Sequence, residues 1–202
     1  MEKTLIEEST VELLEFFEKV SEEARKEKAA VPPTSKMLYY WTRKPLVVGK
    51  AVILSSTLND IEKVKKLMDF RKDTRVYKNT VDVNSYKKEL GLEPSKIKLL
   101  DPFAGAGNLL FEGKKLGLDC TGSDYNPVAY LLENAVLNYP GKYDLKLADD
   151  VEKFAKQVID KTQKEIGKFF KPTDLVYLWV WCIVCPHCNQ KIPLTNQMFI
   201  AN

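Results

Sequence analysis

The stretch Lys96-Ile97-Lys98-Leu99-Leu100-Asp101-Pro102-Phe103-Ala104-Gly105-Ala106-Gly107-Asn108 decides the fold. Ile97, Leu99 and Leu100 make a short apolar run of strand length that ends on an acid. Gly105 and Gly107 then break the chain into a turn, where backbone can approach a ligand that a side chain would push away. Residues 109–116 read as a helix whose leading N–H groups aim at the same place. Strand, turn and helix thus converge on a cradle that suits a cofactor, although a glycine turn also serves as a plain connection.

Downstream the pattern becomes regular. Residues 118–123 predict a second strand ending at Asp124, and Asn126-Pro127 starts a helix with Val128, Leu131, Leu132, Ala135 and Val136 as its apolar positions. Residues 143–148 predict a third strand ending at Asp149 or Asp150. Val151, Phe154, Ala155, Val158, Thr162 and Ile166 mark the inward face of a long amphipathic helix. Such alternation predicts an α/β fold with a parallel sheet. Ligands bind beyond the carboxyl ends of the strands of such sheets, here at Asp101, Asp124 and Asp149 or Asp150. The spacing lets Asp124 accept hydrogen bonds from two ribose hydroxyls, and Asp149 or Asp150 one from an adenine amino group. The turn departs from the dinucleotide pattern G-x-G-x-x-G, because Leu110 holds its third position and an acid precedes it. A carboxylate there repels a pyrophosphate but suits an ammonium and a sulfonium, which favours S-adenosylmethionine over NAD.

The chain of 202 residues is 45% hydrophobic and 29% charged, enough for one buried core and an appended subdomain. A formal net charge of +3 permits contact with nucleic acid without arguing for it. No apolar run reaches membrane-spanning length, and Met1-Glu2-Lys3-Thr4-Leu5-Ile6-Glu7-Glu8 lacks the features of a secretion signal. The expectation is a soluble cytoplasmic protein with no membrane partner. Cysteines crowded at 182, 185 and 188 read as metal ligands rather than as a disulfide framework.

Upstream, Ser9 with Glu12 suggests a capping box for a first helix on which Val11, Leu14, Phe17 or Val20 recur, followed by a charged run over 22–28. After the break Val31-Pro32-Pro33-Thr34-Ser35 comes Leu38-Tyr39-Tyr40-Trp41-Thr42-Arg43-Lys44-Pro45-Leu46, aromatic and basic together. Such a cluster either stacks on a planar ring while its cation reaches a carboxylate or phosphate, or lies as an aromatic stripe beside a core. Residues 46–58 predict a buried helix and 60–68 an amphipathic one. Residues 70–95 read as a connector with small helices, on which Arg71, Lys72, Arg75 and Lys78 form a solvated face or, less in keeping with such a run, touch a phosphate backbone.

Asp101-Pro102-Phe103-Ala104-Gly105-Ala106-Gly107 resembles the D-P-F-x-G-x-G motif of methyltransferases that act on exocyclic amino groups of nucleic acid bases, and Ser123-Asp124-Tyr125-Asn126-Pro127-Val128-Ala129 resembles their second motif. Trp41-Thr42-Arg43-Lys44-Pro45-Leu46, Asp149-Asp150-Val151, Tyr177-Leu178-Trp179, and Cys185-Pro186-x-Cys188 with Ile192-Pro193-Leu194 resemble, in the same order, a large prokaryotic (archaeal-type) family of adenine-specific DNA methylases. The resemblance implies a class I methyltransferase (Rossmann-like) fold, in which segment 41–46 closes over the methionine end of S-adenosylmethionine. It implies cofactor contacts from Trp41, Arg43, Pro45, Asp101, Pro102, Phe103, Ala104, Gly105, Gly107, Asn108, Asp124, Tyr125, Asn126, Asp149 and Asp150. The family favours two tryptophans and two arginines in the first segment, whereas this chain has Tyr40 before Trp41 and Lys44 after Arg43.

Amino-group methyltransferases also use Asn or Asp, then Pro-Pro and an aromatic, to accept the amino protons and stack on the target base. No such tetrapeptide occurs here; Val31-Pro32-Pro33-Thr34 lies too early and lacks both acid and aromatic. No catalytic residue is therefore assigned. The expectation is the cofactor-binding part of such an enzyme, inactive alone, acting on DNA or RNA, with an incomplete sheet finished by a partner chain or a second copy. The alternative is a non-catalytic nucleic acid-binding protein or a degenerate remnant. In the tail, residues 175–181 predict a strand and 192–200 a returning one. Between them Cys182, Cys185 and Cys188 offer part of a zinc knuckle, or a reduced hairpin without metal, since structural zinc takes four ligands and His187 is poorly placed beside Cys188. Three segments follow: an amino-terminal helical region over 1–95, an α/β core over 96–172 and a hairpin over 173–202.

Overall fold

The computed structural model describes residues 3–38, 40–70, 80–171, 173, 177 and 179–195. The chain divides into two compact units, residues 1–147 and 148–202. The expected basic face at Arg71, Lys72, Arg75 and Lys78 lies outside the described residues.

The first unit is mixed α/β and mostly helical. A single turn, α1 (Leu5–Glu8), leads into α2 (Val11–Ala30), whose cap is Thr10 accepting from the Leu13 N–H, not Ser9. The buried stripe of α2 is Leu13, Phe16 and Val20. Val11 and Leu14 face outward, one step round the helix from the expected stripe. After a short α3 (Pro33–Lys36), α4 (Leu46–Thr57) is buried on nearly every side, as its apolar composition predicts, and α5 (Ile61–Met68) is amphipathic with Asp60 as its cap. These helices share one core with the sheet: Phe16, Val20, Leu54, Val64 and Met68 cluster with Leu116 and Leu118. Each such side chain contributes about 1.5–3 kcal/mol by leaving water.

Helix α6 (Val83–Leu90) is capped by Asp82 and buries Tyr86, whose hydroxyl donates to Thr57 Oγ1 at 2.8 Å. Strand β1 (Lys98–Asp101) then leads through the glycine turn to α7 (Asn108–Lys115), and β2 (Asp119–Gly122) pairs with β1 in parallel, Lys98 against Asp119 and Asp101 against Gly122. Helix α7 covers one face of this two-stranded sheet; a Cβ on Gly113 would sit 2.6 Å from Leu99 and 2.7 Å from Cys120. Leu100, on the other face, is exposed. Helix α4 packs against α7, where the buried Lys50 ammonium lies 3.9 Å from Glu112. Helix α8 (Pro127–Glu133) starts at Asn126 as expected and runs through a π-helical turn, Asn134–Asn138, into α9 (Tyr139–Tyr143).

The third strand does not form. Residues 139–143 are helical, and α10 (Lys146–Ile166) begins before the expected strand would end. Leu147, Val151, Phe154 and Val158 continue one helical spacing, and this period wins over the brief alternation at 143–148. The apolar face of α10 is not inward: Val151, Phe154, Val158, Ile159 and Ile166 are all exposed, and the helix buries no residue. In the second unit, β3 (Cys182–Val184) and β4 (Lys191–Pro193) form an antiparallel hairpin. The strand expected over 175–181 is absent from its described members, Tyr177 and 179–181; β3 starts at Cys182 instead. The return strand is the short β4, and 196–200 lie outside the described residues. Among the described residues no helix is long and apolar enough to cross a membrane.

Candidate functional site

The site is built at the carboxyl ends of β1 and β2. Ser123 donates its N–H to the Asp101 carbonyl, and Ala104 donates to the Ser123 carbonyl, so the glycine turn is stitched to the end of the neighbouring strand. The turn closes with Gly107 N–H on the Ala104 carbonyl at 2.9 Å. Gly105 and Gly107 have φ of 58° and 74°, left-handed values that favour glycine. Space is tight as well: a Cβ would meet the Tyr40 ring at 3.3 Å from Gly105 and Glu133 Cγ at 3.2 Å from Gly107.

Two carboxylates flank this turn. Asp101, 5% exposed, accepts from Phe103 N–H at 3.2 Å through one oxygen and from the Lys44 ammonium at 3.0 Å through the other. Asp124 accepts from Asn126 N–H and Gly105 N–H, both at 2.8 Å, one on each oxygen. These two N–H groups, Asn126 first, hold its carboxyl below the usual range. Each oxygen keeps a second lone pair, so Asp124 can still accept two hydroxyl protons. Pro102, Phe103 and Tyr125 are exposed beside them, with Ala104 buried in the turn.

The aromatic and basic segment, residues 40–45, lies against the same turn. Asn108, at the start of α7, donates through Nδ2 to the Lys44 carbonyl at 2.7 Å. Glu27 of α2 holds the segment from behind: its two oxygens accept the N–H groups of Leu46 and Val47 at 2.7 and 2.9 Å, capping α4 just past Pro45. Burial pushes the Glu27 carboxyl up, against the lowering effect of those N–H groups. A cleft of about 490 Å³ opens here, walled by Glu27, Tyr40, Trp41, Arg43, Lys44, Pro45 and Asn108. Arg43 donates through Nη2 to the Leu38 carbonyl at 2.6 Å, and burial pulls its guanidinium pKa down. Its Nη1 is buried without a hydrogen-bond partner, as is Oδ1 of Asn108. Arg43 and Asn108 thus line the cleft with a buried cationic donor and a buried amide acceptor, each of which gains by meeting a group of opposite polarity.

The structure thus brings Arg43, Pro45, Asp101, Gly105, Gly107, Asn108, Asp124 and Asn126 around one turn, with Trp41 on the cleft wall. Asp149 and Asp150 are not at a strand end; they lie in α10, because the strand that would have carried them is helix. Lys44, read within the aromatic and basic segment, is the partner of Asp101. Two residues of the site escape a reading of the sequence as motifs. Glu27 sits in a charged run but continues the spacing of Leu13, Phe16 and Val20, which is the signal that it points inward. Glu133, from α8, lies under the turn with Oε1 buried and unpartnered; burial, then Asp124 and Asp101, push its carboxyl up.

Cys182, Cys185 and Cys188 do not form a metal set: among the described residues no three Cys, His, Asp or Glu side chains converge. Cys185 and Cys188 lie in the connection between β3 and β4, closed by Asn189 N–H on the Cys185 carbonyl at 2.9 Å. N–H groups of Cys188 and His187, with the Cys188 thiol, hold the Cys185 thiol below its usual range.

A family model described as a protein of unknown function (DUF1156) matches residues 17–80. That stretch includes Glu27, the 40–45 segment, α4 and α5, and so one wall of the cleft. No curated protein and no solved structure matches the chain.

Proposed function

We propose that this chain binds S-adenosylmethionine at the ends of β1 and β2 and is the cofactor-binding part of an amino-methyltransferase acting on nucleic acid, of the class I fold. One observation carries the reading: Asp101 and Asp124, at the ends of adjacent parallel strands, are joined through the Gly105 turn beside a cleft with unpartnered Arg43 Nη1 and Asn108 Oδ1. These groups match the ligand part by part. Asp101 takes the α-ammonium, with Asn108 Oδ1 as a second acceptor; Arg43 takes the α-carboxylate; Asp124 accepts from the ribose hydroxyls. Phe103 and Tyr125, exposed beside the carboxylates, supply flat apolar surface for the adenine.

Bound cofactor supplies an activated methyl group, and the residues described here hold and orient it without abstracting a proton from an acceptor. The residues that grip the target amino group come from outside these 202 residues, because no Asn or Asp followed by Pro-Pro and an aromatic occurs among them. Zinc at the hairpin would have two thiolates from Cys185 and Cys188 and take its remaining ligands from elsewhere.

Photo-crosslinking of methyl-tritiated S-adenosylmethionine, followed by peptide mapping, tests the placement. The label is expected on peptides holding residues 40–45 or 101–108, with unlabelled cofactor competing and ATP not competing. Label confined to the second unit, or competed equally by ATP, would remove the reading. The chain alone is expected to transfer no methyl group to DNA.

A further inference from the structure

We propose that Lys44 is a specificity-determining residue of this site: its ammonium occupies the place that a ligand's ammonium must take, so that it competes with ligands bearing a free cation and leaves uncharged ones unaffected. The inference rests on the proposed binding of S-adenosylmethionine and concerns how that same site chooses its ligand.

The geometry around Nζ is that of a bound primary ammonium. It lies 3.0 Å from Asp101 Oδ2 and 3.4 Å from the Phe103 carbonyl, two acceptors presented by one turn. The Asp101 side chain is 6% exposed, so its charge cannot rely on water and needs a cation beside it. Lys44 meets that need from a fixed base: Asn108 holds its carbonyl, and the residues that follow are tied to Glu27. Its own side chain is 50% exposed and flexible, so the ammonium can swing into water without moving the backbone.

The selectivity follows from the exchange. A ligand with an α-ammonium replaces one cation on Asp101 by another and leaves the buried carboxylate paired throughout. An uncharged nucleoside has no group to offer Asp101 and must bind with the Lys44 pair intact. Lys44 thus lowers the affinity for the cationic ligand, by the fraction of molecules in which it must first be displaced.

Calorimetric titration of the wild type, Lys44→Met and Lys44→Gln with two ligands tests this. S-adenosylmethionine carries the ammonium, whereas 5′-methylthioadenosine shares the adenosine and sulfur but has neither ammonium nor carboxylate. Both variants are expected to bind S-adenosylmethionine about three- to fivefold more tightly than the wild type, the upper part of the range that an ion pair with a half-exposed lysine allows. Their affinity for 5′-methylthioadenosine is expected to stay within twofold of the wild type's. Wild-type binding with unchanged or weaker binding by the variants would overturn the role of Lys44 and leave the site standing. Equal tightening for both ligands would also overturn it, since the effect would not depend on the ammonium. Absence of S-adenosylmethionine binding by all three proteins would overturn the site and this inference together.

Discussion

The backbone N–H of Gly105 donates to Asp124 Oδ2 at 2.8 Å, and this bond joins the turn after β1 to the end of β2. The carboxylate assigned to the ribose in the proposed site thus also holds the turn after β1. Asp124→Asn keeps an acceptor for only one of the two N–H groups and turns its NH2 toward the other, and is expected to cost about 1–2 kcal/mol of stability while weakening cofactor binding about tenfold or more through loss of charge and of acceptor capacity. Gly105→Ala tests the turn itself: left-handed φ and the contact with Tyr40 are expected to cost about 1–2 kcal/mol in urea denaturation.

Glu27 is a long-range helix cap. Glu27→Ala leaves the Leu46 and Val47 N–H groups buried without acceptors and is expected to cost about 2–4 kcal/mol in chemical denaturation. Because the same cap positions residues 40–45, hydrogen exchange at Leu46 and Val47 should rise more than at Leu54, deep in the same helix. Loss below 0.5 kcal/mol would show that the cap does not anchor the segment.

Glu133 gives a pH dependence of defined sign. Its carboxyl is raised above the ordinary 4.5 by burial, then by Asp124 and Asp101, so over that window the folded chain binds more protons than the unfolded one. Its contribution to stability therefore falls as pH rises from 4.5 toward the folded value, and is absent as a penalty below 4.5. Glu133→Gln is expected to melt with the wild type near pH 4 and above it at pH 7, measured by circular dichroism. A difference of the same size at both pH values would contradict the account.

Helix α10 carries its apolar stripe in the open. Phe154→Ala is accordingly expected to change the stability of this chain by less than about 0.5 kcal/mol, where a buried phenylalanine would cost about 3–5 kcal/mol. A large loss would place Phe154 in a core.

The contrast between these elements shows what the sequence discloses. The run from Lys98 to Gly122 was legible because its signals are local and agree: an apolar strand, glycines where φ is positive, and a helix that starts at the turn. Asn126-Pro127 was equally plain, since a cap and an N1 proline need no tertiary context. Residues 143–148 misled because six residues that alternate also fit the start of a longer helical stripe, and only the continuation through Val151 and Phe154 decides between them. Glu27 was hidden for a different reason. A charged side chain reads as solvated unless the group that pairs with it is known, and the N–H groups that Glu27 caps lie 19 and 20 residues away.

Isothermal titration calorimetry of the 202-residue chain decides whether the turn between Asp101 and Asp124 holds S-adenosylmethionine. The account expects saturable binding at a single site per chain, weakened about tenfold or more by Asp124→Ala in a protein that keeps its circular dichroism spectrum. Absence of binding by the wild type, or binding that Asp124→Ala leaves unchanged, would contradict it.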